Sequence, residues 1–261
     1  MNQNQQLRSN LIALGTLVLK ETHRYMRIWA QTLLPPAITM TLYFVIFGSL
    51  IGPRIGPMDG YSYIEFIAPG IIMMAVITNS YANVASSFFG AKFQSHIEEI
   101  LVSPTPNFFI LLGYLAGGVG RGLLVGLIVT LVALFFTDLR IHNPWITLSV
   151  VLLTAILFSL GGFLNALFGR KFDDIAIVPT FVLTPLTYLG GVFYSISLLP
   201  PFWERVSHLN PILYMVNGFR YGILGASDID IRVAYSIILL FIVLLGGFCL
   251  YLLNRGTGLR K

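Results

Sequence analysis

Charge is what this sequence lacks first. Aspartate, glutamate, lysine and arginine together make up 10% of its 261 residues, while 56% are hydrophobic. Soluble domains carry about 25% charged residues, because water has to solvate their surface. A chain this poor in charge cannot cover itself against water, and its main solvent is lipid. Cysteine is nearly absent as well. Cys249 is the only one, which excludes an intrachain disulfide and a thiolate metal cluster. The net charge is +5, yet no dense basic run with interleaved aromatics occurs, and nucleic acid is not an expected partner. Met1 to Asn10 is polar and has no short apolar core, so no cleavable leader is expected.

Catalytic and metal motifs are missing too. No G-x-x-x-x-G-K-[ST] string is present, so no loop of this chain is built to cradle ATP phosphates. No H-E-x-x-H occurs, and His23, His96, His142 and His208 are too scattered to propose a metal site. Glu98-Glu99 and Asp173-Asp174 are adjacent carboxylates. Neighbours on a helix point about 100° apart, so they do not converge on one substrate atom. No acidic residue sits inside an apolar run, Glu65 standing only at the first position of one, which argues against proton or sodium coupling.

What remains is a set of long apolar runs. Spans need about 20 residues each, and candidates lie at 32–51, 65–87, 108–136, 145–168, 175–193 and 233–253. The sequence therefore predicts an all-α polytopic membrane protein of about six spans. Before them, Leu7, Leu11, Leu14, Val18, Tyr25 and Trp29 share one helical stripe, opposite Lys20, Arg24, Arg27 and Gln31. That pattern predicts an amphipathic helix at the membrane interface over 7–30. An even span count puts both termini on one side. Arg8, Lys20, Arg24, Arg27, Lys92, Arg170, Lys171, Arg255, Arg260 and Lys261 then share that side, against Arg54, Arg140, Arg205, Arg220 and Arg232. The bias is about two to one for cytoplasmic termini.

Two segments between spans carry structure of their own. Over 89–106, Phe89, Phe93, Ile97, Ile100 and Leu101 keep helical spacing until Pro104 and Pro106 end the run, which predicts a short amphipathic helix on the inner surface. Over 195–227, apolar stretches too short to span are broken by Pro200, Pro201 and Asn210-Pro211. These read as re-entrant or interfacial helices of an external hairpin, packed on protein. Asn79, Asn83 and Ser87 recur every fourth residue, a polar stripe that either bonds a neighbouring helix or lines a pathway. Arg121 sits among Gly113, Gly117, Gly118, Gly120, Gly122 and Gly126. The glycines admit a close helix neighbour, and the arginine must face protein or water, as a structural group or a gate.

In several strings the chain resembles the ABC-2 type permeases. They are Ile97-Glu98-Glu99-Ile100-Leu101-Val102-Ser103-Pro104, Gly117-Gly118-Val119-Gly120-Arg121-Gly122, Leu198-Leu199-Pro200-Pro201-Phe202-Trp203, His208-Leu209-Asn210-Pro211 and Gly218-Phe219-Arg220-Tyr221-Gly222. The resemblance covers the whole chain, 1–261, as a single transmembrane domain. It implies a homodimer in a bacterial inner membrane carrying two separate cytoplasmic ATPase subunits, which hold the ATP and Mg that this chain does not bind. It implies a coupling segment with Lys92, Phe93, His96, Ile97, Glu98, Glu99 and Leu101 at the ATPase, with Asp173 and Asp174 as secondary contacts. A connecting helix over 7–30 and an external cap carrying Phe202, Trp203, Asn210, Pro211 and Arg220 are implied as well. The implied activity is ATP-driven export of a lipid, glycan or amphiphilic compound, with Asn79, Asn83, Ser87 and Arg121 as pathway or gate. An intramembrane lipid-modifying enzyme and a membrane anchor for a cytoplasmic partner are the competing readings.

Overall fold

In hydrocarbon no water pairs a backbone amide, so apolar runs of this length close their hydrogen bonds within helices. The computed structural model describes residues 3–258, and among them only an isolated bridge, Met58 with Tyr61, departs from helix, turn and loop. Helix α1, Gln3–Arg27, leads through α2, Trp29–Thr32, and α3, Leu34–Tyr43, into a π-helix at Phe44–Ile51 and α4, Gly52–Ile55. Then come α5, Tyr63–Phe93; α6, His96–Val102; α7, Asn107–Ala133; and α8, Pro144–Phe168. Next, α9, Phe172–Val178, a π-helix at Pro179–Leu183 and α10, Thr184–Tyr188, run on without a break. A 3-10 turn at Ile196–Leu198, α11, Pro201–His208, α12, Pro211–Leu224, and α13, Ile231–Arg255, complete the chain.

Among the described residues, five stretches are long and apolar enough to cross a membrane: Trp29–Ile55, Tyr63–Phe93, Asn107–Ala133, Pro144–Phe168 and Ile231–Arg255. Local chemistry sets their ends. Asn143 caps α8 through the Trp145 and Ile146 amides, Asp230 caps α13 through Arg232, and Glu65 reaches back to the Ser62 amide before α5. Gly256, at φ 66°, ends α13 in the left-handed region that favours glycine. The run expected at 175–193 takes a different form. Its helical pieces, of seven, five and five residues, end at Tyr188. Pro179 and Pro185 lack the amides that an unbroken α ladder needs, and the ladder slips to π geometry between them.

Glycines set the spacing of the centre. A Cβ on Gly118, Gly122 or Gly126 would fall within 3 Å of Val84, Ser80 or Val76, so α7 lies antiparallel and close against α5. A second glycine face of α7 takes α1. Leu17, Glu21 and the Tyr25 hydroxyl meet Gly113, Gly117 and Gly120 in turn, and the two helices run parallel. The buried residues of α1 are therefore Asn10, Leu17, Glu21 and Tyr25. That stripe is rotated by about 60° toward the basic side from the expected one, at 100° per residue. Leu7, Leu11 and Trp29 of the expected stripe remain exposed.

The amphipathic helix expected over 89–106 is shorter than that range. Phe89 and Phe93 belong to α5, which continues to Phe93 before Ser95, at φ 62°, turns the chain into α6. The α6 end of the bundle also gathers the end of α8 and the end of α13. There Lys92 reaches the Leu167 carbonyl, and Asn107 donates an amide hydrogen to Asn254 at 2.9 Å. The opposite end holds α11 and α12, where the His142 amide donates to the Ile223 carbonyl.

Candidate functional site

The polar residues singled out in the apolar runs meet in one seam between α1, α5 and α7. Glu21 is 1% exposed. Its carboxylate accepts from the Ser87 hydroxyl at 2.6 Å and from Arg24 Nε at 3.4 Å. Arg24 Nη2 in turn donates to the Asn83 side-chain and main-chain oxygens at 2.7 and 3.1 Å. One turn away, Arg121 Nη2 donates to Asn79 Oδ1 at 3.1 Å and to the Thr32 carbonyl at 3.2 Å. That carbonyl belongs to the break between α2 and α3, where the helix ladder leaves it free to accept. Asn79, Asn83, Ser87 and Arg121 are thus brought together, facing protein. Sequence reasoning missed Glu21 and placed Arg24 on the water side. The signal was the spacing Leu17, Glu21, Tyr25, which sets an acid on the same flank as two packing residues.

The seam is not fully satisfied. Ser80 Oγ, Asn83 Nδ2, Tyr114 Oη and Arg121 Nε, with Ser159 Oγ of the neighbouring α8, are buried without a hydrogen-bond partner. Each such group costs free energy in a dry interior.

At the α6 end the implied contact residues separate into two kinds. Ile97 is 1% exposed and joins the core cluster of Phe89, Ile110 and Leu167, so it bolts α6 to the bundle. Lys92 donates to the Leu167 and Gly169 carbonyls at 2.6 and 2.8 Å, a cation on the open C-terminus of α8. Its ammonium is committed to its own chain. His96, Glu98, Glu99 and Asp173 are exposed, and Phe93 packs against Phe172 with ring centroids 4.9 Å apart. Asp174 accepts from the Arg170 and Lys171 amides at 2.8 and 2.9 Å, closing the first turn of α9. Leu101 belongs to α6, but its side chain lies outside the described residues. Beside this group, Phe89, Lys92, Phe93, Arg170 and Thr257 line a hollow of about 730 Å³.

At the other end, Arg220 is wholly buried. Its guanidinium donates to the Gly191 and Phe66 carbonyls and lies 4.0 Å over the Phe66 ring. Burial lowers its pKa to about 10, with Asp228 and Asp59 acting in the other direction, and it stays a cation at neutral pH. Asn210 caps α12 through the Ile212 amide and donates to the Leu186 carbonyl, with Pro211 in the first helical position. Phe202 and Trp203 correct the expectation of a fully packed hairpin. They are 67% and 47% exposed, because α11 has only eight residues and buries only Ser207.

Comparison with known proteins gives this arrangement a context. Residues 12–224 match the family described as ABC-2 type transporter. Over 251 residues the chain is 60% identical to the inner membrane transport permease YadH of Escherichia coli K12, covering 96% of this chain and 98% of the relative. It is also 25% identical over 205 residues to nodulation protein J of Sinorhizobium fredii, covering 78% of each.

Proposed function

This chain belongs to the ABC-2 type transporter family, and from that premise we propose that it is the permease subunit of an ATP-driven exporter in a bacterial inner membrane. Its cargo in this reading is a lipid, a glycan or another amphiphilic compound, taken from the cytoplasm or the inner leaflet. Two copies of the chain pair, and each carries a cytoplasmic ATPase subunit that holds ATP and Mg. The observation that carries the reading is the pair Glu98 and Glu99, exposed on a short helix that the buried Ile97 fixes to the bundle. A rigid, acidic, outward-facing foot suits a partner that must push on the bundle, and the chain has no phosphate-binding loop of its own.

In this reading the α6 end and both termini face the cytoplasm, and the run from Phe172 to Tyr188 makes the sixth crossing. Helices α11 and α12 form the re-entrant external cap, while the exposed Leu7 and Leu11 of α1 rest on inner-leaflet lipid. ATP drives transport only if the ATPase binds the two permease states differently. Asn79, Asn83, Ser87 and Arg121 then act with Glu21 and Arg24 as a latch that holds α1 to α5 in one of those states. Copurification with a P-loop ATPase whose hydrolysis responds to lipid or glycan substrates supports the assignment. A purified chain that binds no ATPase and performs lipid chemistry alone would replace it with the enzyme reading.

A further inference from the structure

Three basic residues of α1 stand in one row. At about 100° per residue, Lys20, Arg24 and Arg27 fall within about 60° of one another, three and four residues apart. Like charges at those spacings repel on a helix. The only acid between Gln3 and Met58 is Glu21, which is buried and turned to Ser87 and Arg24. Lys20 and Arg27 are exposed, and neither has an ion-pair partner among the described residues. Between them Arg24 is held in place, its Nε on Glu21 and its Nη2 on Asn83, with 30% of the side chain still open to the outside. Three cations against one buried carboxylate leave this edge of α1 with an excess of positive charge.

Two observations say which anion suits it. The row ends two residues before Trp29, where the first stretch long and apolar enough to cross a membrane begins, so the cations stand at headgroup depth. Beside them on the same helix Ile12, Leu19 and Met26, seven residues apart, are exposed. A cationic edge that continues into bare apolar side chains fits a lipid, which puts its phosphate on the cations and its chains on the apolar row. The acidic surface of a soluble protein would meet the cations and leave those apolar side chains in water.

We propose that this edge of α1 binds an anionic phospholipid as a resident partner of the chain, not as its cargo. The lipid phosphate meets Lys20, Arg24 and Arg27, and its acyl chains lie along Ile12, Leu19 and Met26. The site rests on α1 meeting the bilayer and depends on neither the ATPase nor the direction of transport. The test uses the purified full chain in phosphatidylcholine nanodiscs, with Leu19→Trp as its sole tryptophan beside Trp29→Phe, Trp145→Phe and Trp203→Phe. Phosphatidylglycerol and phosphatidylcholine, each brominated at the same acyl positions, serve as quenchers. Phosphatidylglycerol should be held at least about fivefold more tightly, the effect of one basic contact at a charged surface, and 1 M salt should erase most of that preference, in keeping with a Debye length of about 3 Å. Lys20→Gln with Arg27→Gln should bring the ratio close to one, and Lys20→Arg with Arg27→Lys should keep it. Arg8→Gln, on the same helix but about 120° from Lys20, should leave it unchanged. Native mass spectrometry of the unsubstituted chain, counting lipids retained from an equal mixture, should show the same preference without the tryptophan changes. Equal quenching and equal retention of the two lipids overturn the proposal, as does a preference that survives the double glutamine variant or that Arg8→Gln abolishes as well. Equal binding of the lipids together with loss of a copurifying ATPase in the double glutamine variant would assign the edge to that protein instead.

Discussion

A carboxylate held among apolar helices needs its partners inside the protein, and Glu21 has Ser87 and Arg24. Removing Arg24 leaves that carboxylate buried with one neutral partner. Arg24→Met should cost about 2–3 kcal/mol, below the usual range for breaking a buried pair because Arg24 keeps 30% of its side-chain surface. The double variant Glu21→Gln, Arg24→Met should recover most of that loss. Thermal unfolding in one detergent, run as a double-mutant cycle, reads both numbers, and a harmless Arg24→Met would show that charge does not hold the seam. Arg220 makes the complementary case at the other end, where carbonyls from distant parts of the chain hold its guanidinium. Arg220→Met should expose 196–224 to rapid hydrogen exchange while α5 and α8 stay protected. Uniform loss of protection would instead assign Arg220 to the stability of the whole bundle.

At the scale of elements, glycine decides which helices touch. A Cβ on Gly122 would stand 1.8 Å from Ser80 Oγ, whereas one on Gly247 would meet nothing within 4 Å. Gly122→Ala should therefore destabilise the bundle by about 1–3 kcal/mol through overpacking. Ser80→Gly in the same chain should relieve part of it, and Gly247→Ala should be neutral or gain up to about 1 kcal/mol. Equal melting temperatures for the two alanine variants would refute close α5 and α7 packing. The glycine run and the Asn79, Asn83, Ser87 stripe are legible in the sequence because each repeats at helical spacing. Their partners are not, since an amphipathic pattern ranks α1 positions by polarity and takes Arg24 for a solvated residue. The slip to π geometry in the 175–193 run escapes a hydropathy count for a related reason. Such a count registers Pro179 and Pro185 as apolar residues and not as missing amides. The burial of Arg220 rests on carbonyls 29 and 154 residues away, and no local pattern carries that information.

At the scale of the whole molecule, orientation in the membrane and division of labour with a partner decide what the chain does. Reporter fusions after Arg255 and within 59–65 should report opposite compartments, with the carboxy-terminal one cytoplasmic. The same side for both would remove one crossing and turn the acidic foot away from any ATPase. The most direct measurement is ATP hydrolysis by the purified chain, alone and reconstituted in liposomes with any P-loop ATPase found to copurify with it. The chain alone should hydrolyse no ATP, and the complex should hydrolyse it at a rate that changes with the transported compound. In the double variant Glu98→Lys, Glu99→Lys, hydrolysis should lose that response, or the complex should fail to assemble, as truncating a desolvated charge pair at a cost of about 2–5 kcal/mol requires. Hydrolysis by the chain alone, or a double variant that assembles and responds like the native complex, would contradict the account.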